Sequence, residues 1–331
     1  MNITRSDAAI ARAGPAGLLA LTLLCAAPTL GAQEAYPQRP VRVVVNVGAG
    51  GGVDTIARIV AQHYAALWGQ PFVVDNRAGA GGSIGAETVA KAAPDGYTLL
   101  VTSGSVVTNA AVRANSADPS RDLQPITRLT SSPYIVGVTP SLPVEGVKDL
   151  VALAKSKPKG VSFGSSGGTG SITHLAGELL SLMVAAPMLH VPYGGTAGTY
   201  SAVASGEVDW AIGNPVSIMP LIKAGRIKAI AATSAARIPA FPDIPTVAES
   251  GVAGYEVIGW YGLFAPGHVP VGIVAILQSE AKKRLYSPEI LKRLEVEASD
   301  PVGNTPQQFT AEVKAEVQKW RDLIKRRGIK L

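Results

Sequence analysis

The segment Val161–Leu180 contains a serine in a pattern that can support nucleophilic catalysis. It reads VSFGSSGGTGSITHLAGELL, and Ser166 lies between Gly164 and Gly168 in the Gly-x-Ser-x-Gly order of a hydrolase nucleophile elbow. A histidine and an acid from elsewhere in the chain would complete a triad, and the candidates are His190, His268, Asp209 and Asp243. An exported serine hydrolase built on Ser166 is therefore one hypothesis for this chain.

The same segment also fits a binding loop. An elbow turns from its serine directly into a helix, whereas here Thr169 and Gly170 lengthen the loop before Ser171, which has the side chain of a helix N-cap. In a segment with so many glycines and serines, Gly-x-Ser-x-Gly arises easily by chance. We therefore favour a strand, a hydroxyl-bearing loop and a helix with a binding role.

Two further glycine loops lead into helices. VVVNVGAGGGVDTIARIVAQH places Gly48–Gly51 before a helix with Asp54 near its start, and NRAGAGGSIGAETVAKA places Ser83 as the expected N-cap of another. The first loop lacks the Gly-Lys-Ser/Thr of a P-loop and has Val53 at the third glycine of the dinucleotide pattern, so it does not predict a nucleotide site. Three loops of one design instead predict a cleft in which helix N–H groups and hydroxyls hold a carboxylate. We expect Asp54 to cap N–H groups at its own helix start.

Metal and nucleic-acid binding have little support in the sequence. The four histidines are far apart and lack the spacing of metal ligands on one helix. The formal net charge is +6, but lysines and arginines are scattered and aromatics make up 5% of the chain, too few for a stacking platform. We therefore expect no metal, no cofactor and no nucleic-acid partner, and we expect His63 and His190 to be structural.

Residues 1–32 read as an export signal. Two arginines precede an apolar run, Leu18–Leu24, that is too short to span a bilayer, and we expect cleavage after Ala32. A lipoprotein built on Cys25 is an alternative, although Leu24 is larger than the residue expected before a lipidated cysteine. Because Cys25 is the only cysteine, the mature chain would have no disulfide. The sequence thus predicts a periplasmic protein of about 300 residues, enough for two domains.

Short apolar runs with many β-branched residues alternate with helical periods, which is typical of an α/β fold with largely parallel sheets. The first helix is predicted at Asp54–Trp68, with Gly69 as its C-terminal stop, and Pro270–Leu331 is predicted to be helical with a break at Ser287-Pro288. The predicted strands are Val41–Val45, Phe72–Val74, Thr98–Thr102, Tyr134–Val138, Val161–Phe163, Met188–Val191, Trp210–Ile212 and Ala229–Ala232.

Two extended segments look like crossings between domains. SSPYIVGVTPSLP leaves the first α/β block, and YEVIGWYGLFAPGHVP returns after the second. We therefore predict two α/β lobes joined by a hinge of two linkers. Lobe 1 is discontinuous and consists of residues 33–136 and 259–331, and lobe 2 consists of residues 137–258.

Nine segments follow the order of one known family from Tyr36 to the last helix. They are YPQRPVRVVV, Gly50-Gly51-x-x-Asp54, VVDNRAGAGGSIGAE, KAAPDGYTLL, SFGSSGGTGSITHLAGELL, HVPYGG, GEVDWAIGN, IKAGRIKAIAATSAARIPAFPDIPTVAESG and WYGLFAP. These segments resemble the periplasmic solute-binding proteins of tripartite tricarboxylate transporters, also called Bug proteins. The resemblance implies a type II periplasmic-binding-protein fold that closes like a Venus flytrap on a small organic acid. It also implies delivery of that acid to the membrane subunits of the transporter, without catalysis.

The resemblance also implies a ligand site. Backbone and water contacts from the first glycine loop would hold the ligand carboxylate, and hydroxyl and backbone donors of the other lobe would face it. The residues at matching positions are Gly48, Ala49, Gly50, Gly51 and Asp54 in the first loop, Ser165, Ser166, Thr169 and Ser171 in the second, and Tyr193 and Asn214 on loops that approach the cleft.

The chain departs from the family at two places. Asn46–Ala49 replace an aromatic and prolines, and Ile212-Gly213-Asn214 replace a common Phe-Asp-Asn, so an acid is absent. Ligand identity therefore does not transfer from relatives, and a dicarboxylate, a tricarboxylate, an aromatic acid and a nitrogen heterocycle all stay open. We expect a monomer. A ligand sensor for a membrane signalling partner is an alternative that uses the same pocket.

Overall fold

The structure, a computed structural model, describes residues 36–113, 116–296 and 298–329 of the 331-residue chain. The predicted export signal, its cleavage site and Cys25 lie outside these residues. Pro37–Leu331 forms one compact unit. Within the described ranges, no helix combines the length and the apolar composition that crossing a bilayer requires.

Strands and helices alternate along most of this unit. The elements up to the first change of sheet are β1 (Val41–Val45), α1 (Gly52–Trp68), β2 (Phe72–Asn76), α2 (Ser83–Ala90), β3 (Thr98–Ser103), α3 (Ser105–Val112) and β4 (Leu123–Pro133). The next are β5 (Ile135–Val138), α4 (Val147–Ser156), β6 (Val161–Ser166), α5 (Ile172–Val184), β7 (Met188–Tyr193), α6 (Thr196–Ser205), β8 (Trp210–Gly213), α7 (Pro215–Lys223) and β9 (Lys228–Ala232). The chain ends with β10 (Ile258–Pro266), α8 (Val271–Leu285), α9 (Pro288–Val296), β11 (Asp300–Pro301) and α10 (Pro306–Arg327).

The strands form two mixed sheets, one in each lobe. The first has the order β11-β4-β10-β3-β1-β2, with β1 parallel to β2 and β3, and β10 antiparallel to β3 and β4. The second has the order β7-β6-β8-β5-β9, with β6 parallel to β7 and β8, and β5 antiparallel to β8 and β9. Two α/β lobes with these sheets confirm the predicted fold class.

The chain changes sheet twice, and the two crossings are bonded to each other. Tyr134 separates β4 from β5, and its backbone N–H donates to the hydroxyl of Thr233 at 2.9 Å. The Thr233 hydroxyl in turn donates to the Val257 carbonyl at 2.6 Å, in the segment that leads into β10. Thr233 is fully buried. One side chain therefore ties both crossings together at the hinge.

Local sequence explains the first βα unit. β1 has four of its five residues buried, as expected for a strand covered on both faces. In α1, Ile56, Ile59, Val60 and Tyr64 are spaced three and four residues apart and face the core. Gly69 ends the helix in the left-handed region with φ 66°, so the predicted C-terminal stop is confirmed.

The eight predicted strands are all present, but two long ones were missed. β10 occupies much of the second segment that we interpreted as an extended crossing, whereas β4 lies mostly before the first segment and overlaps it only at residues 131–133. Because β10 lies between β3 and β4, its backbone is bonded on both sides and the segment is part of the sheet. The changes of sheet lie at Tyr134 and between β9 and β10, whereas the predicted lobe limits lie at residues 136/137 and 258/259.

Two predicted helix starts have different outcomes. Ser171 is the N-cap of α5, and its hydroxyl accepts from the His174 N–H at 3.3 Å, as predicted. The prediction that Ser83 caps α2 is wrong, because the N-cap is Gly82 in the left-handed region with φ 99°. Ser83 is the first helical residue, and its hydroxyl lies 3.1 Å from that of Ser116. The C-terminal helices and the break before Pro288 are as predicted, whereas the strand β11 interrupts the region that was predicted to be helical.

Candidate ligand-binding site

A cavity of about 90 Å³ lies between the two lobes. Its walls come from the β3–α3 loop, β4 and β10 on one side and from the starts of α5 and α7 on the other. The lining residues are Ser103, Gly104, Ser105, Thr130, Ser132, Tyr134, Ile172, Asn214, Ile258, Gly259, Trp260 and Tyr261. None of these residues carries a formal charge. A ligand in this cavity would therefore meet hydroxyl, amide and aromatic groups from both lobes.

The β3–α3 loop is folded around one serine. The Ser103 hydroxyl donates to the Ser105 hydroxyl at 2.9 Å and accepts from the Ser105 N–H at 3.3 Å. Gly104 donates its N–H to the Trp260 carbonyl at 3.2 Å, and a Cβ added at Gly104 would lie 3.3 Å from the Trp260 indole nitrogen. Small residues at these positions thus allow the loop to lie close against Trp260.

Asn214 joins the cavity from the other lobe. Its side-chain oxygen caps α7 by accepting from the Val216 N–H at 3.0 Å. A Cβ added at the preceding Gly213 would lie 2.3 Å from the Tyr200 hydroxyl. Burial raises the pKa of Tyr200 to about 12, so this phenol stays neutral. The aromatic ring therefore occupies the space that an acidic side chain at position 213 would need.

The first glycine loop reaches the cavity at its last residue. A Cβ added at Gly52 would lie 2.3 Å from the hydroxyl oxygen of Tyr261, which lines the cavity. The predicted residues Gly48, Ala49, Gly50 and Gly51 are exposed, and a Cβ added at any of the three glycines would meet no atom within 4 Å. This loop thus lies beside the cavity and contacts its wall through Gly52.

Asp54 is buried behind this loop with its charge paired. Its carboxylate accepts from the Gly50 N–H and Arg58 Nε, both at 2.9 Å, and from the Asn76 amide at 3.0 Å. The bond from Arg58 is the main reason that the pKa of Asp54 falls to about 2. The carboxylate therefore holds the glycine loop through Gly50, which precedes the N-cap Gly51, and it makes no bond to an N–H group of the helix start, so the expected capping role is not what the structure shows.

The second predicted loop forms a hydroxyl network beside α5. The Ser166 hydroxyl donates to the Thr199 hydroxyl at 3.1 Å, and the Ser166 N–H donates to that of Thr173 at 3.1 Å. Ser165 is fully buried, whereas Thr169 is exposed. The network adjoins the cavity where α5 begins, because Ile172 lines the cavity directly after Ser171.

Two stacked histidines support this loop from behind. Their ring centroids are 3.8 Å apart, and His190 Nε2 lies 2.7 Å from the Ser165 hydroxyl. His174 Nδ1 accepts from the Gly170 N–H at 3.0 Å. Burial is the main cause that lowers the pKa of His174 and of His190 from 6.5 to about 4. Both rings are therefore neutral at pH 7 and hold the loop by hydrogen bonds, so His190 is structural as expected.

The residues proposed from the sequence as a catalytic triad do not make the contacts of a triad built on Ser166. The hydroxyl contact of His190 is with Ser165, while the Ser166 hydroxyl bonds to Thr199. The Asp209 carboxylate accepts from the Ser162 N–H and hydroxyl at 2.6 and 3.0 Å. Among the described residues, no group of three histidine, cysteine or acidic side chains could hold a metal ion.

The cavity contains one of the eleven predicted ligand residues, Asn214. Tyr193 does not line the cavity, and its hydroxyl donates to Glu207 at 2.8 Å. The missed lining residues are Ser103, Gly104, Ser105, Thr130, Ser132, Tyr134, Ile172, Ile258, Gly259, Trp260 and Tyr261. One signal was available, because the letters TSGS follow a predicted strand and precede a helix, as in the other three loops.

The sequence and the fold match proteins of one family. Residues 56–329 match the tripartite tricarboxylate transporter family receptor. BugT of Bordetella pertussis is 32% identical over 334 residues, covering 100% of both chains. The solved structure of R. palustris Rpa4515 with adipate is 36% identical with a TM-score of 0.75, covering 89% of this chain and 99% of that one. MatC (Rpa3494) from Rhodopseudomonas palustris with bound malate is 31% identical with a TM-score of 0.72, covering 87% and 100%.

These matches span both lobes and the hinge crossings of the described structure. The agreement in sequence extends over most of the chain, and the solved relatives share its two-lobed architecture. The chain therefore belongs to the tripartite tricarboxylate transporter receptor family, the solute-binding proteins to which BugT belongs, and has their type II periplasmic-binding-protein fold.

Proposed function

We propose that this protein is a periplasmic receptor that captures a small organic dicarboxylate between its lobes. One observation carries the proposal: three serines, one threonine, two tyrosines and Asn214 from both lobes converge on one small cavity that has no charged lining residue. Hydroxyl, amide and backbone N–H donors can hold a carboxylate by charge-assisted hydrogen bonds. Relatives solved with adipate and with malate support a dicarboxylate as the ligand.

The absence of charge among the lining residues also favours acids over amino acids. An ammonium group placed in this cavity would lose its hydration without meeting a carboxylate partner, which costs several kcal/mol. Asp54 is the nearest acid on the first loop, and Arg58, Asn76 and Gly50 already occupy its oxygens. The cavity thus suits a ligand whose only charges are negative.

The two predicted glycine and serine loops belong to the proposed site as its rim. Each adjoins a residue of the cavity wall: Gly52 meets Tyr261, and Ser171 precedes Ile172. N–H groups at the start of α1 and the Ser166 hydroxyl would contact the ligand or waters that bridge to it. The serine that contacts a histidine, Ser165, is fully buried, and the Ser166 hydroxyl is bonded to Thr199, so we infer binding without chemical conversion.

The family relationship supports the partner and the location. We propose that the loaded receptor delivers its acid as a monomer to the membrane subunits of a tripartite tricarboxylate transporter. The apolar run before Ala32 supports export to the periplasm. Delivery requires opening and closing of the lobes, and the pair of crossings tied by Thr233 is the proposed hinge. Small-angle scattering should give a smaller radius of gyration with ligand than without it.

A melting-temperature screen with succinate, malate, adipate, citrate and benzoate tests the proposal. A ligand present at one hundred times its dissociation constant adds about 2.7 kcal/mol of stability, which corresponds to roughly 4 °C for a chain of this size. We expect at least one dicarboxylate to give this shift with no change in its own composition afterwards. No shift with any acid, or turnover of the acid, would contradict the proposed function.

A further inference from the structure

Trp260 links the ligand cavity to the C-terminal helix. Trp260 is 3% exposed and is one of the residues that line the cavity from β10. On the side of α10, its indole N–H donates to Glu316 Oε2 at 2.8 Å. The same carboxylate accepts at Oε1 from the indole N–H of Trp320 at 3.2 Å. One acidic side chain thus holds two tryptophans, of which one faces the cavity.

This hydrogen bond determines how the Trp260 ring is oriented. Indole has a single polar group, the N–H donor, so its position decides which edge of the ring faces α10. Packing completes the constraint, because the ring of Phe309 meets Trp260 edge-on with centroids 5.4 Å apart. Gly104 covers the indole nitrogen from the β3–α3 loop. Removal of the acceptor would therefore leave a buried donor unsatisfied and release the ring to turn.

Four neighbouring groups act against the effect of burial on Glu316. Burial raises the pKa of Glu316, and the two indole N–H groups, together with the nearby cations Arg128 and Lys319, oppose that rise. Arg128 also pairs with Glu312, one turn earlier on α10, at 3.2 Å. Lys319 donates to the Glu256 carbonyl, next to the hinge residue Val257. The same helix face therefore contacts the cavity wall and the hinge crossing.

We propose that Glu316 is a positioning residue of the ligand site, which holds the Trp260 indole in the cavity wall and thereby sets the affinity for the ligand. The proposal rests on the proposed function for its effect on affinity, and on the described contacts for its effect on Trp260. Glu316 itself contacts no ligand. Its influence on the ligand passes through the hydrogen bond to Trp260. Experiments can therefore distinguish this positioning role from a general contribution to the stability of the fold.

The first test uses the ligand-free chain labelled with ¹⁵N-tryptophan. The indole resonance of Trp260 is assigned by its loss in Trp260→Phe. In Glu316→Met, which keeps the length but not the oxygens of the side chain, we expect this resonance to shift upfield and its N–H to exchange faster with water. Trp320→Phe is the matched control, since it removes the other bond to the same carboxylate and should leave the Trp260 resonance in place. If Glu316→Met does not fold, Glu316→Leu, which also lacks the acceptor oxygens, replaces it.

The second test measures dissociation constants by calorimetry with adipate, and with malate where adipate does not bind. We expect Glu316→Met to raise the dissociation constant by about tenfold. Glu312→Gln, on the same helix face but without a hydrogen bond to Trp260, should change it by less than about twofold. In the Trp260→Phe background, Glu316→Met should have no further effect, because its route to the ligand is already gone.

The outcomes separate this proposal from the function on which it rests. An unchanged Trp260 resonance in Glu316→Met overturns the positioning role whether or not a ligand is known. An unchanged dissociation constant, or the same tenfold loss in the Trp260→Phe background, overturns it as well. Failure of both acids to bind the unmodified chain, with the resonance shifted as expected, counts against the proposed function and leaves the positioning of Trp260 established.

Discussion

Asn214→Asp is predicted to weaken ligand binding without weakening the fold. The Asn214 oxygen caps α7 through the Val216 N–H, and aspartate is as good an N-cap as asparagine. Its negative charge at a helix N-terminus is moreover favourable. The helix and the free protein should therefore keep their stability. The same side chain lines the cavity, so the substitution adds one negative charge where we expect a carboxylate to bind.

The size of the effect follows from Coulomb's law. At about 5–8 Å, two unit charges repel by about 2–3 kcal/mol when the effective dielectric constant is about 20. This corresponds to an increase of the dissociation constant by about 30- to 150-fold. Asn214 is only half-buried, so water reduces the repulsion and the lower end of this range is expected.

Calorimetry with succinate, malate and adipate, paired with thermal unfolding of the ligand-free protein, measures both consequences. Asn214→Ser is the matched control, because serine also caps a helix but brings no charge. We expect the serine variant to lose at most about tenfold in affinity and the aspartate variant to lose clearly more. Equal affinity in the two variants, or tighter binding by Asn214→Asp, would show that no carboxylate binds near α7.

Three other predictions concern the loop, the pH response and the ligand class. Gly52→Ala should raise the dissociation constant by roughly 5- to 150-fold, because the new methyl group overlaps the Tyr261 hydroxyl at a cost of about 1–3 kcal/mol. Gly51→Ala is the control and should leave the dissociation constant unchanged, unless the ligand lies on that glycine. Burial lowers the pKa of His174 and His190 from 6.5 to about 4. The free energy of unfolding, measured by urea titration, should therefore fall as the pH drops from about 6.5 towards 4, by up to about 1.4 kcal/mol per pH unit for each histidine. A free energy of unfolding that does not change over this pH range would mean that the rings are protonated in the folded protein. Succinate should bind at least roughly tenfold more tightly than aspartate, a gap of about 1.4 kcal/mol, and equal affinities in calorimetry would mean that an acid such as Asp54 faces the ligand.

The alternation of strands and helices could be predicted from the sequence because buried parallel strands appear as uninterrupted β-branched runs. Val41–Val45 is such a run, and its bounds are those of β1. β4 and β10 lack this pattern: LQPITRLTSSP and IGWYGLFAP mix glycine, proline and polar residues. Their strand character comes from pairing with each other and with β3, which is a long-range property. β4 was consequently not predicted as a strand, and β10 was interpreted as part of a linker.

The candidate site could be predicted only in part for the same reason. Glycine loops before helices are local signals, and two of the three predicted loops adjoin the cavity wall, at Gly52 and at Ser171. The cavity itself is formed largely by hinge strands, where Trp260 and Tyr261 acquire their role from neighbours distant in sequence. The contact of Gly52 with the Tyr261 hydroxyl joins residues more than 200 positions apart. No local pattern reports such a contact.

Recognition of a carboxylate by uncharged donors from both lobes is tested most directly by a crystal structure with the acid that raises the melting temperature most. We expect the acid in the cavity between the sheets, with carboxylate oxygens about 3 Å from donors of Ser103–Ser105 on one side and of Asn214 or the start of α5 on the other. An acid bound outside this cavity, or one paired with a lysine or arginine side chain, would contradict the proposed mode of binding.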